Sequence, residues 1–129
     1  MPGLDVIRLI GTTSSGGALT VDHTQPVLGT LYMVEVIDGT FDDGVDWTIT
    51  VQGVPGEQSA ATTLLTLTDS NSDARFYPRT AAHGPTGSAL TATAGGDNVE
   101  PIVAGTPRLV VAQGGDTKTG GVILYVRKF

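Results

Sequence analysis

Val45-Asp46-Trp47-Thr48-Ile49-Thr50-Val51-Gln52-Gly53 alternates apolar and polar side chains without a break. Val45, Trp47, Ile49 and Val51 fall on one side, and Asp46, Thr48, Thr50 and Gln52 on the other. Only a period of two does this, so the stretch is a strand with one face buried and one solvated. Outward from it the same grammar recurs: a short β-rich run, then Gly, Pro, Asp or Asn. Leu4–Ile10 reads as a strand in which Arg8 interrupts an apolar run. Ala18–Thr24 alternates weakly around Leu19 and Val21, and Gln25-Pro26 ends it because proline cannot donate to a ladder. Leu28–Ile37 is apolar on both faces, broken only by Glu35. That pattern fits a central strand covered on both sides, or one at a subunit contact.

Asp38-Gly39-Thr40-Phe41-Asp42-Asp43-Gly44 then turns the chain into the Trp47 strand. Thr62–Thr68 is a further strand, a short one is expected at Ala89–Thr93, and Val99–Val103, Arg108–Ala112 and Gly121–Arg127 complete the set. No helix emerges, since the nearest candidate, Glu57–Leu65, carries Thr62 and Thr63. Many short strands at this spacing predict an all-β fold in a single domain over 1–129, an antiparallel β-sandwich or jelly-roll-like barrel. Its N-terminal segment 1–10 is expected to be extended.

Composition narrows the function. A chain of 129 residues can close one core. With 40% hydrophobic and only 16% charged residues, it has the balance of a folded domain rather than a disordered one. The net charge is −6, and the seven Lys and Arg are scattered. Nucleic acid demands a basic stripe and anionic membrane a basic surface, so neither is expected as a partner. The absence of cysteine removes disulfides, thiolate catalysis and thiolate metal sites. Met1-Pro2-Gly3-Leu4-Asp5 lacks the basic and apolar regions of a signal peptide, and no apolar run reaches the ~20 residues of a spanning helix.

Chemistry-bearing groups are sparse. His23 and His83 are the only histidines. Asp22 adjoins His23, but neighbours on a strand point to opposite faces, so both histidines are expected to be ordinary surface residues. Asp38, Asp42, Asp43 and Asp46 offer calcium-type oxygens, yet turn chemistry accounts for them more simply. Asp69, Asn71 and Asp73 repeat the first half of an EF-hand loop. Ala74 then stands where glycine is required, and Thr80 where the bidentate glutamate belongs. Gly95-Gly96-Asp97 and Gly114-Gly115-Asp116 are turn sequences without the lysine of a phosphate loop. Ser14 and Ser15 lack the elbow context of a hydrolase nucleophile. The expectation is no catalytic residue, no cofactor and no metal. Arg75, Tyr77, Pro78 and Arg79 form the most suggestive group, because Tyr and Arg are enriched at interface hot spots.

Several segments, taken in order, carry a resemblance. They are Tyr32–Asp38, Gly39-Thr40-Phe41-Asp42-Asp43-Gly44-Val45-Asp46, Leu64-Leu65-Thr66-Leu67-Thr68-Asp69 and Phe76-Tyr77-Pro78-Arg79, closed by Arg108-Leu109-Val110-Val111 and Lys118–Val126. From about Leu28 to the C-terminus the chain resembles small proteins encoded among the head genes of tailed bacteriophages. The resemblance implies a virion protein of the capsid decoration or cement type, assembled in the host cytoplasm and bound to the outer capsid surface. Its partner would be the major capsid protein, and it would self-associate as a homotrimer at local threefold positions. The alternatives are a tail or head–tail structural component and a glycan-binding β-sandwich.

The residues expected to make contacts are Leu4, Val6 and Ile7 near one terminus and Tyr125 and Phe129 near the other. Leu31, Met33, Arg75, Tyr77 and Arg79 are expected to join them.

Overall fold

The computed structural model describes residues 3–53, 61–83, 85–87 and 98–129. These residues form ten strands and no helix. They are β1 (Leu4–Thr12), β2 (Leu19–Asp22), β3 (Val27–Ile37), β4 (Asp46–Gln52), β5 (Thr62–Leu67), β6 (Ala74–Phe76), β7 (Thr80–Ala81), β8 (Asn98–Val99), β9 (Ile102–Ala112) and β10 (Thr119–Lys128). The strand expected at Ala89–Thr93 and the turn sequence Gly95-Gly96-Asp97 lie outside the described residues. The single run expected at Val99–Val103 is instead split between β8 and the start of β9.

All pairings are antiparallel. Sheet A runs β1-β10-β3-β6 and sheet B runs β2-β9-β4-β5, while β7 and β8 make a small separate ribbon. The two sheets join at a corner, where Val27–Thr30 of β3 pairs with Ile102–Gly105 of β9. Beyond Gly105, β9 belongs to sheet B. Gly105 takes a φ of 140°, and a Cβ there would collide with the Gln52 carbonyl oxygen. Only glycine accepts that backbone at little cost, so the corner is fixed by one residue.

The sheets pack face to face over one core. Ile7, Leu9, Leu31, Val34, Val36, Leu124 and Val126 come from sheet A, and Trp47, Ile49, Val51, Leu109 and Val111 from sheet B. The alternation in β4 therefore places its side chains as its sequence predicts. Trp47 meets Phe41 edge-on at 5.1 Å, and its indole N–H donates to the Ser70 carbonyl at 2.8 Å. A buried indole thus keeps its one polar group satisfied. The extended N-terminal segment is no loose arm: Leu4–Thr12 pairs with β10 along its whole length.

β3 departs from the expectation of a strand covered on both faces. One face enters the core, while Met33, Glu35 and Ile37 lie half-exposed on the outside of sheet A.

Candidate interaction surface

The two outer faces of the sandwich differ in kind. Cross-strand register places side chains row by row, because directly paired residues share a face. On sheet A the rows are Leu4 with Arg127; Val6 with Tyr125 and Met33; Arg8 with Ile123, Glu35 and Arg75; and Ile10 with Gly121 and Ile37. Leu4, Val6 and Ile10 stay exposed. Ile123 is only 4% exposed although it points away from the core, with Arg8 and Glu35 on either side of it.

A bulge adds the aromatic element. Tyr125 pairs with Met33 and the next residue, Val126, pairs with Leu31, so Tyr32 has no opposite number. A bulge re-aims side chains, and here Leu31 enters the core while Tyr32 and Met33 both turn outward. The Arg127 guanidinium lies 4.3 Å from the Tyr32 ring centre. Tyr77 meets the same ring edge-on at 6.0 Å. Arg79 reaches back to donate to the Tyr32 carbonyl at 3.2 Å and to its neighbour Pro78 at 2.7 Å.

Charges frame this cluster. Arg75 Nε donates to Glu35 at 3.1 Å, and that hydrogen bond, with the charge of the carboxylate, raises the arginine further above its usual range. Arg127 donates to Glu100 at 3.1 Å, and Thr30 donates to the other oxygen of Glu100 at 2.8 Å. All three tyrosines of the chain and three of its arginines, Arg75, Arg79 and Arg127, therefore surround one region of sheet A.

Of the residues expected to make contacts, Leu4, Val6, Met33, Arg75 and Tyr125 share this face, and Tyr77 and Arg79 border it. Phe129 is 66% exposed at the chain end, beside Leu28. Ile7 and Leu31 are placed otherwise. They are 2% and 0% exposed and point between the sheets, so neither can meet a partner while the core is intact. Tyr32, Ile123, Arg127 and Ile10 were not among the expected residues. The signal for Ile10 lay in the sequence, as the fourth member of the Leu4, Val6, Arg8 side. Nothing local marked Tyr32, because bulges leave no pattern of their own.

The acidic residues gather elsewhere. Asp38, Asp42, Asp43, Asp46, Asp69, Asp73 and Asp116 all lie at one end of the sandwich, in or beside the β3–β4, β5–β6 and β9–β10 connections. They serve as acceptors in the turns. Asp73 accepts from the Asp38 N–H at 2.8 Å, Asp46 accepts from the Asp69 N–H at 3.0 Å, and Asn71 donates to Asp43. Burial, and then the charges of Asp73 and Asp43, hold the Asp38 carboxyl above its ordinary value. Among the described residues no group of three or more His, Asp or Glu is placed to hold a metal ion.

His23 is half-buried and its backbone N–H donates to the Pro107 carbonyl, and His83 is exposed. Asp22 faces Arg108 instead of His23, with bonds of 2.6 and 3.1 Å that lower its carboxyl below the usual range. A cavity of about 540 Å³ opens beside Val51, Thr62, Leu64, Arg79 and Ile102, and among the described residues no histidine or carboxylate lines it.

No family model matches the chain, and no curated protein or solved structure matches it either.

Proposed function

We propose that the protein is a structural module that docks on a larger assembly through the outer face of sheet A. The assembly is a bacteriophage capsid, whose outer surface it decorates and stabilises, with the major capsid protein as partner. The observation that carries the docking face is the gathering of Tyr32, Tyr77 and Tyr125 with Arg75, Arg79 and Arg127 around an apolar sheet surface. Tyr and Arg anchors of this kind carry most of the energy at protein interfaces. The assignment of the assembly itself rests on the sequence resemblance. The physics of such a role asks for no chemistry, only a rigid scaffold presenting many weak contacts at repeated sites.

The tyrosine cluster also favours a second reading, a glycan-binding module. Against it, Arg127 lies over the Tyr32 ring and Tyr77 stands nearly perpendicular to it, so Tyr32 offers no open ring platform.

The test is sedimentation of the purified protein with capsids that lack it. Binding is expected, and Tyr77→Ala should weaken it by about tenfold or more, the loss typical of an interface anchor. Labelling of tails instead of capsids would move the protein to the tail or head–tail class. Saccharide-induced shifts at Tyr32 and Tyr77 would favour the glycan reading.

A further inference from the structure

The edge of sheet A carries an inference that does not depend on what its outer face binds. Among the described residues β1 is an edge strand, paired with β10 alone. The direction of its free groups follows from the bonds that flank it. Thr13 N–H donates to Lys118 and Lys128 N–H donates to Gly3, each between directly opposed residues. In an antiparallel pair such hydrogen-bonded positions alternate. The odd residues 3 to 13 therefore bond to β10. The N–H and C=O groups of Leu4, Val6, Arg8 and Ile10 point to the open edge, where no partner takes them among the described residues.

This edge is long, free of proline and unbroken by a bulge. Natural sheets avoid leaving such an edge open, because it templates a further strand. We propose that the occupant is β1 of a second copy, paired antiparallel about a twofold axis that passes through Ile7.

Three observations select this partner and register. First, only even residues present their groups, so they must pair with even residues of the second copy. Centring on Ile7 sets Leu4 against Ile10 and Val6 against Arg8, which engages all four. Centring on Arg8 would set two arginines directly opposite, and centring on Val6 would leave Ile10 unpaired; like charges in that position are unfavourable. Second, charge is unevenly placed along the strands. Seven Asp lie at one end, while at the other Arg127 and Lys128 are matched by Glu100 and Asp5. An antiparallel arrangement keeps the acidic ends of the two copies apart. Third, a twofold axis perpendicular to the sheet keeps both outer faces on one side, so Leu4 meets Ile10 of the other copy at each end of the seam and Val6 packs along the stem of Arg8 between them. Pairing of like edges closes at two copies, whereas the threefold arrangement expected from the sequence needs unlike surfaces to meet.

The mass in solution tests this, with light scattering at roughly 100 μM, well above a micromolar dissociation constant. The parent should show twice the 13.2 kDa of one chain. Val6→Pro removes an edge-facing N–H and none of the bonds to β10, a position where proline is tolerated. It should show the mass of one chain with an unchanged circular dichroism spectrum. Ile10→Lys touches no ladder bond and should weaken the dimer by about tenfold or more. Val6→Cys, in a chain without other cysteines, should be joined to its copy by a short bis-maleimide, whereas Thr20→Cys on sheet B should not.

A monomeric parent, a trimeric mass, or a dimer that survives both Val6→Pro and Ile10→Lys would overturn the proposal. Tyr77→Ala should leave the mass unchanged, so failure of the docking face and failure of the edge are told apart.

Discussion

Sheets A and B share one core yet present opposite surfaces. The outer face of sheet B is a threonine field. Thr20, Val110, Thr48 and Thr66 form one row, and Asp22, Arg108, Thr50 and Thr63 the next. Threonine keeps the β-branched shape a strand favours and turns a hydroxyl to water. The outer face of sheet A replaces those hydroxyls with Leu4, Val6, Ile10, Ile123, Met33 and Ile37, set among tyrosines and arginines. Both faces belong to equally regular antiparallel sheets, so strand formation does not require the difference. A solvated sheet has no use for an apolar outer face, and a contiguous one marks a contact surface.

The comparison can be broken or sharpened by substitution. The largest effect is expected in the core the two sheets share. Trp47→Ala should cost roughly 3–5 kcal/mol in urea unfolding and loosen both sheets together, since it empties the space beside Phe41 and abandons the bond to Ser70. Loss of one sheet with the other intact would mean that the sheets do not fold as a unit.

Next comes the contrast between the faces themselves. Ile123→Ala should cost about 2 kcal/mol, because this outward residue is nearly as buried as a core one. Val110→Thr, at the equivalent place on sheet B, should stay within about 0.5 kcal/mol. Equal costs in thermal melts would erase the distinction.

Function should divide the same way. Arg75→Glu reverses a charge on the docking face and should reduce capsid binding by about tenfold or more, with stability changed by no more than about 0.5 kcal/mol. Thr66→Lys adds a charge to sheet B and should leave capsid binding alone. If the two weaken binding equally, the effect is net charge and the docking face is misplaced.

The smallest effects are titrations. Asp22 is lowered by its bond to Arg108, so the stability this pair adds is present above the ordinary carboxylate value of 3.8 and is lost as pH falls through the lower folded value. For so exposed a pair it amounts to between 0 and about 1 kcal/mol. Asp38 has the opposite sign. Its carboxyl is raised by burial and by Asp73 and Asp43, so its ionised form costs stability at neutral pH and that cost is relieved in acid. Asp38→Asn should raise the melting temperature slightly at pH 7 and leave it unchanged in acid; a fall at pH 7 would show that the ionised carboxylate supports the turn.

What the sequence by itself determined was the class of fold and the side of the strands that matters most. The alternation of Val45 to Val51 has one physical solution, a half-buried strand, and Trp47 lies where that solution puts it. The absence of cysteine was equally final about disulfides and thiolate chemistry. β1 shows where local reading stops. Leu4-Asp5-Val6-Ile7-Arg8-Leu9-Ile10 is apolar on both of its faces, so either set can enter the core. Only the register against β10 sends Ile7 and Leu9 inward and leaves Leu4, Val6 and Ile10 outside, because a slip by one residue exchanges the faces.

β3 shows the same limit through its bulge. One unpaired residue turns Tyr32 outward beside Met33 and keeps Leu31 within, and nothing within Leu28–Ile37 announces where the ladder slips. The proposed docking face was present in the sequence as scattered residues from four strands and the segment after β6. Their meeting was decided by strand order and register, which are properties of pairing between distant segments and are not written in any one of them.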